Sequence, residues 1–99
     1  MLPSFESFQA DLLSQGFDEV LPREWAPLQV VADHLHPFAA NAVVVQGEMW
    51  LTVGDATRHL RVGDTFELAP NVVHSERYGA EGAIYWVGRR RIAAPLTSA

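Results

Sequence analysis

Residues 41–62 have the sequence NAVVVQGEMWLTVGDATRHLRV, which contains three predicted strands and the turn that joins two of them. The run Ala-Val-Val-Val at 42–45 is unbroken and apolar, which is typical of a strand buried on both faces. Gly47 interrupts this run, and two further strands flank Gly54-Asp55. Glycine at the first position of a two-residue loop is the signature of a type II′ hairpin. The stretch therefore predicts antiparallel strands.

The same spacing continues on both sides of this stretch. Residues 28–36 are rich in strand-forming side chains, and Gly63-Asp64 is the next turn signal. Proline at position 22 favours a turn or an edge strand. No second helical pattern separates the strands, so we expect an all-β, antiparallel barrel or jelly roll. The remaining predicted strands are short and lie at 66–68, 72–75 and 83–88.

The N-terminal segment has a helical pattern instead. Phe5, Phe8 and Leu12 recur at the spacing that places them on one face of a helix. Ser4 is a suitable N-cap, and Gly16 stands where such a helix would end. We expect the aromatic face to pack over the barrel. The predicted organisation is a helix in residues 1–17, a barrel in residues 18–92 and a C-terminal tail in residues 93–99.

Composition limits the classes of function. A chain of 99 residues is one domain, and its formal charge of −5 disfavours a nucleic-acid partner. No apolar run reaches the ~20 residues of a membrane span. The absence of cysteine excludes disulfides and thiolate metal sites, and fits a reducing compartment. Glu6 and Asp11 are unlike a secretory signal, so we expect a cytoplasmic protein. The basic run Arg89-Arg90-Arg91 is interpreted as a solvated strand end.

Three of the four histidines form a candidate site. His34 and His36 lie two apart on a predicted strand, so their side chains share a face, with Cα atoms about 6.6–7 Å apart. His74 lies on a later strand, and three imidazoles can make one face of a metal coordination sphere. Hydrogen-bonded packing is the alternative role for histidines on strands. His59 precedes Leu60, which we expect to face inward, so His59 is expected outside.

Residues 33–90 resemble the cupin superfamily, specifically its small single-domain members. His34-Leu35-His36 and Gly47 match the first cupin motif, and Gly63 and His74 match the second. The segment Gly63-Asp64-Thr65-Phe66 is a typical opening of that second motif. The resemblance implies a cupin β-barrel and assigns His34, His36 and His74 as metal ligands. The implied cofactor is a divalent transition metal, with Fe, Mn, Ni and Zn all open.

The sequence departs from the family pattern at informative positions. Leu28 stands where the first motif has glycine, and Ala40 stands where a glutamate ligand belongs. Asn71 replaces a turn glycine, which is tolerable because asparagine adopts left-handed backbone more easily than most residues. Glu76 lies on the same strand face as His74. It is either a carboxylate of the site or, the interpretation we favour, a charged strand end beside Arg77.

Two functions remain open from the sequence. One is a small metal-binding cupin that acts on, or binds, a small molecule through the three-histidine site. The other is a non-catalytic ligand-binding cupin module with a degenerate, metal-free pocket. Catalysis itself is left open. We also expect a homodimer, because residues 42–45 and 84–87 offer more two-sided apolar strand than a lone small barrel needs.

Overall fold

The structure is a computed structural model that describes residues 2–91, so the predicted tail at 93–99 lies outside the described residues. Within this described range one helix precedes six strands, and every strand pair is antiparallel. The predicted all-β jelly roll with one N-terminal helix is confirmed. The elements are α1 (Phe5–Ser14), β1 (Glu19–Trp25), β2 (Val30–His34), β3 (Phe38–Val53), β4 (Ala56–Arg61), β5 (Thr65–Leu68) and β6 (His74–Arg91).

Two long strands, β3 and β6, pair with each other along nearly their whole length. In one half of the molecule they are flanked by β1 and β5, which gives the order β1-β6-β3-β5. In the other half the order is β2-β6-β3-β4. Within the described residues, the ladder of strands stays open at its edges. The proline at position 22 lies on the edge strand β1, whose one partner in the described part of the chain is β6.

Glycines form the corner where the two long strands pass from one half to the other. The sequence predicted that Gly47 ends a strand, but β3 continues through it with a change of register. Gly47 has φ 74°, and a side chain there would overlap the carbonyl oxygen of Gly82. A side chain at Gly82 would in turn overlap the carbonyl oxygen of Trp25. Three strands therefore touch backbone to backbone, which lets β3 and β6 bend without ending.

The helix covers the outer face of the sheet. Ser4 caps it by accepting a hydrogen bond from the Ser7 backbone N–H at 3.1 Å. The rings of Phe5 and Phe8 lie 5.4 and 6.0 Å from that of Trp86. Gly88 permits this approach, since a Cβ there would lie 2.5 Å from a methyl carbon of the helix. The predicted aromatic packing is confirmed. Nothing helical within residues 2–91 has the length and hydropathy to cross a membrane.

The apolar strands on which the homodimer prediction rests are covered within the chain itself. The apolar run that suggested it is buried within the chain, with Val43 only 4% exposed. Trp86, in the second apolar run, lies against the helix. The homodimer stays a prediction, and the large apolar side chains that remain exposed include Leu28, Val30, Leu35 and Val73.

Leu28, where the family pattern has glycine, adopts the left-handed backbone conformation that favours glycine. Its φ is 59°, and its backbone N–H donates to the Gly79 carbonyl oxygen at 2.9 Å. The side chain is 70% exposed and so contributes little packing. Asn71, at the second glycine position, also has positive φ, at 64°. Both positions where the family pattern has glycine therefore have left-handed backbone here, at a cost in strain that is larger for Leu28 than for Asn71.

Replacing Leu28 with glycine should stabilise the protein. The left-handed conformation costs a leucine about 1–2 kcal/mol, and the greater chain entropy of glycine offsets about 0.5–1 kcal/mol of the relief. The expected gain in the free energy of unfolding is therefore about 0.5–1 kcal/mol, measured by urea denaturation. Val30→Gly is the matched control, because Val30 is 69% exposed on the neighbouring strand without positive φ. Val30→Gly should destabilise the protein. A loss of stability in Leu28→Gly would contradict the inferred backbone strain at Leu28.

Candidate metal centre

The structure brings the three predicted histidines together. His34 and His74 are directly opposite each other in the β2–β6 ladder. His36 lies just beyond β2, where its carbonyl oxygen accepts a hydrogen bond from the Asn71 backbone N–H at 2.8 Å. The ring of His74 lies 4.2 Å from that of His34 and 4.9 Å from that of His36. One nitrogen from each ring lies within 4.8 Å of the others, close enough to bind a metal ion.

Backbone carbonyls orient two of the rings. Nδ1 of His34 lies 2.8 Å from the carbonyl oxygen of Ala32, and Nδ1 of His74 lies 2.8 Å from that of Val72. A carbonyl oxygen only accepts hydrogen bonds, so Nδ1 carries the proton in both neutral rings. Each Nε2 is then left with its lone pair, which is the atom a metal ion requires.

His36 has a different environment. Its ring stacks on Phe38 at 4.0 Å with an interplanar angle of 1°. Its Nδ1 is buried and has no hydrogen-bond partner within residues 2–91. Burial, followed by the nearby His74, lowers the pKa of His36 below its ordinary value. The ring is therefore neutral near pH 7, which is the form that binds a metal ion.

Glu76 lies inside the molecule, so the favoured prediction of a solvated strand end is wrong. It is 6% exposed, and its Oε2 lies 3.4 Å from Nε2 of His34. Its Oε1 accepts a hydrogen bond from the Tyr78 hydroxyl at 2.9 Å. The prediction failed because β6 does not leave the fold here but continues to Arg91. Ala40, where the family has its carboxylate, offers no donor atom.

His59 lies outside, as predicted from strand parity. Leu60 is the buried neighbour, with 1% exposure. The ring of His59 instead stacks on Trp50 at 4.4 Å and contacts the Glu48 carboxylate. His59 therefore does not belong to the three-histidine cluster, and its substitution can serve as a control for theirs.

The three histidines and Glu76 line a cavity of about 440 Å³. Arg23, Trp25, Tyr85 and Arg89 line the same cavity, and the sequence did not assign any of them to it. The prediction of a solvated strand end is wrong for Arg89, because its side chain is only 23% exposed and its guanidinium lies 5.1 Å from the centre of the Phe38 ring. The signal was present in the period-two pattern, because Tyr85, Val87 and Arg89 all share one strand face.

A family model described as Cupin domain matches residues 23–87. No curated protein matches the chain. Among solved structures, an uncharacterised conserved protein with a double-stranded β-helix domain from Klebsiella pneumoniae is 28% identical, with a TM-score of 0.63. The match covers 73% of this chain and 65% of that one.

Two further solved structures show the same fold. An RmlC-like cupin from Shewanella frigidimarina is 21% identical with a TM-score of 0.62, over 71% of this chain and 63% of that one. A chain from the crystal structures of the DMSP lyases RdDddP and RnDddQII is 22% identical with a TM-score of 0.68. That match covers 81% of this chain but 40% of the lyase chain. This chain therefore spans less than two thirds of each of the three proteins.

The two tyrosines, Tyr78 and Tyr85, should resist ionisation. Burial is the main cause that raises the pKa of each above its ordinary value. Their neutral forms favour the folded state, so this contribution is complete below pH about 10 and is lost as the pH rises further. Ultraviolet titration should show phenolate only as the protein unfolds, followed in parallel by circular dichroism. Phenolate that forms in still-folded protein would contradict the burial.

Proposed function

The chain belongs to the cupin family, as the sequence resemblance indicated, and we propose that it is a small metal-binding cupin whose site acts on or binds a small molecule. His34, His36 and His74 would hold one divalent transition-metal ion. The observation that carries the proposal is the convergence of three imidazoles from two segments of the chain. Two of these rings already have Nδ1 engaged by backbone carbonyls, which leaves Nε2 as the donor.

The donor set fits such an ion. Imidazole nitrogens bind Zn, Fe and Ni well, at distances near 2.0–2.1 Å for zinc. Among the described residues the buried Nδ1 of His36 has no hydrogen-bond partner, which is a further point of fit because an unpaired polar atom in a protein interior is costly. Three neutral ligands leave coordination positions open. Those positions can take water or a ligand, with Fe, Mn, Ni and Zn as the candidate ions.

Glu76 compensates for the carboxylate that Ala40 cannot supply. Two ligands of one ion at right angles stand about 3 Å apart, given bonds of about 2.1 Å. The 3.4 Å between Glu76 Oε2 and His34 Nε2 is close to that separation. The Tyr78 hydroxyl holds the other carboxylate oxygen and so fixes the group's orientation. The negative charge of the Glu76 carboxylate would offset part of the ion's charge in a buried site.

When bound, the ion would supply Lewis-acid chemistry and lower the pKa of a bound water. The protein's own contribution is a cavity in which apolar side chains surround the histidines and limit water. Among these are Val31, Phe66, Leu68 and Val87. A small molecule in the cavity would meet both the histidines and the two arginines, because all of them line its wall. The geometry therefore supports a site for a small polar molecule at a metal ion.

Removing one histidine should abolish metal binding. His74→Ala deletes a buried ligand from the centre of the cluster, whereas His59→Ala changes an outer-face histidine and should leave affinity unchanged. Metal-free protein without a histidine tag should be titrated with zinc by calorimetry, and the purified protein should be checked by elemental analysis. If His74→Ala binds zinc as tightly as the parent, the metal-free ligand-binding module becomes the better description.

The carboxylate should tune the affinity. Glu76→Gln should weaken zinc binding about tenfold to a hundredfold, the range typical of groups that support metal ligands. Glu67→Gln removes the same charge from an exposed position on β5 and should have little effect. Ala40→Glu should strengthen binding, because it restores a carboxylate to the cavity wall. If the parent and Glu76→Gln bind zinc with equal affinity, Glu76 is not part of the metal site.

A further inference from the structure

Arg23 lines the cavity and, within residues 2–91, forms no ion pair there. It lies on β1, half-buried, and its guanidinium carbon is 4.8 Å from the centre of the Trp25 ring. Within residues 2–91, its side chain has no carboxylate partner and no hydrogen bond. An arginine stacked on an aromatic face keeps its in-plane N–H groups available. The contact with Trp25 thus orients the Arg23 side chain, while its N–H groups have no hydrogen-bond acceptor within residues 2–91.

Arg89 adds a second positive charge to the same wall. Its partner is Glu19 at 3.4 Å, and that carboxylate is 49% exposed. Its guanidinium lies 5.1 Å from the centre of the Phe38 ring, and that ring stacks on His36 at 4.0 Å. Arg89 therefore lies near the histidines in the cavity wall. Its weak, exposed pairing with Glu19 leaves most of its charge available to a ligand.

The charged side chains that line the cavity have a net positive charge, opposite in sign to that of the whole chain. Its wall carries two arginines against the single carboxylate of Glu76. The chain as a whole has a formal charge of −5. A half-buried pocket of this sign attracts anions, because low-dielectric walls concentrate its field. A planar guanidinium fork matches a carboxylate by two parallel hydrogen bonds.

We infer that the cavity binds a small organic acid, whose carboxylate is held by Arg23 and reinforced by Arg89. The rest of the molecule extends toward the histidines. That second contact rests on the proposed metal site, whereas the carboxylate contact needs no metal. A cationic ligand would be repelled by both arginines. A neutral ligand would leave the Arg23 fork without its charged partner, which is the basis for discrimination.

The full chain, stripped of metal by a chelator, tests the inference with succinate as the probe. Succinamide has the same skeleton without charge and is the matched ligand control. Calorimetry should show succinate binding at least about tenfold more tightly than succinamide, as charge-assisted hydrogen bonds predict. The Arg23 Nε–H resonance should shift on adding succinate. Absence of succinate binding, or equal affinity for the two probes, would overturn the inference.

Variants separate a local contact from a general charge effect. Arg23→Gln should weaken succinate binding about tenfold to a hundredfold, and Arg23→Lys should restore only part of it because lysine lacks the fork. Arg61→Gln makes the same change in net charge at an exposed position on β4 and should leave affinity unchanged. Equal losses in Arg23→Gln and Arg61→Gln would show a long-range effect and reject the site.

The result is independent of the metal proposal. If zinc binds but succinate does not, the result supports the metal centre and contradicts the carboxylate site. If succinate binds through Arg23 and zinc does not bind, the reverse holds. Circular dichroism of Arg23→Gln establishes that the variant is folded. Arg23→Lys preserves the charge and gives a second measure of the same contact.

Discussion

The pairing of β3 with β6 is the constraint on which the rest of the structure depends. Both strands run through both halves of the molecule, so every other strand is placed by pairing with one of them. β6 in particular aligns β2 beside one of its halves and β1 beside the other. The histidines and the arginines of the cavity wall are therefore positioned by β6 and by the strands that pair with it.

The corner glycines also set which side chains face the cavity. Before the corner, His74 and Glu76 point inward at even positions of β6; after it, Tyr85 and Arg89 point inward at odd positions. A strand with strict period-two alternation could not do this. From Tyr78 to Ala83 β6 advances five residues while β3 advances two, from Met49 to Gly47, and this odd difference of three reverses the alternation. The composition of the cavity thus follows from a local backbone irregularity.

This shift explains what the sequence could and could not predict. Local signals predicted the helix, its caps, the Gly54-Asp55 hairpin and the inward direction of the paired histidines, because each depends on neighbouring residues. The assignment of Glu76 failed because it assumed that the strand ended, whereas long-range pairing with β3 extends it. Arg23 was missed because nothing local marks β1 as a cavity wall. Such features depend on contacts between residues far apart in the chain.

The two edge strands β1 and β2 share one neighbour, β6, and within the described residues they are not paired with each other. Arg23 belongs to the first and His34 to the second, yet both line one cavity. A molecule that touches both side chains would link two edge strands that, within residues 2–91, are each paired with β6 alone. Its binding energy would then also oppose local opening of the sheet, so that occupancy of the cavity and rigidity of its walls become one linked equilibrium.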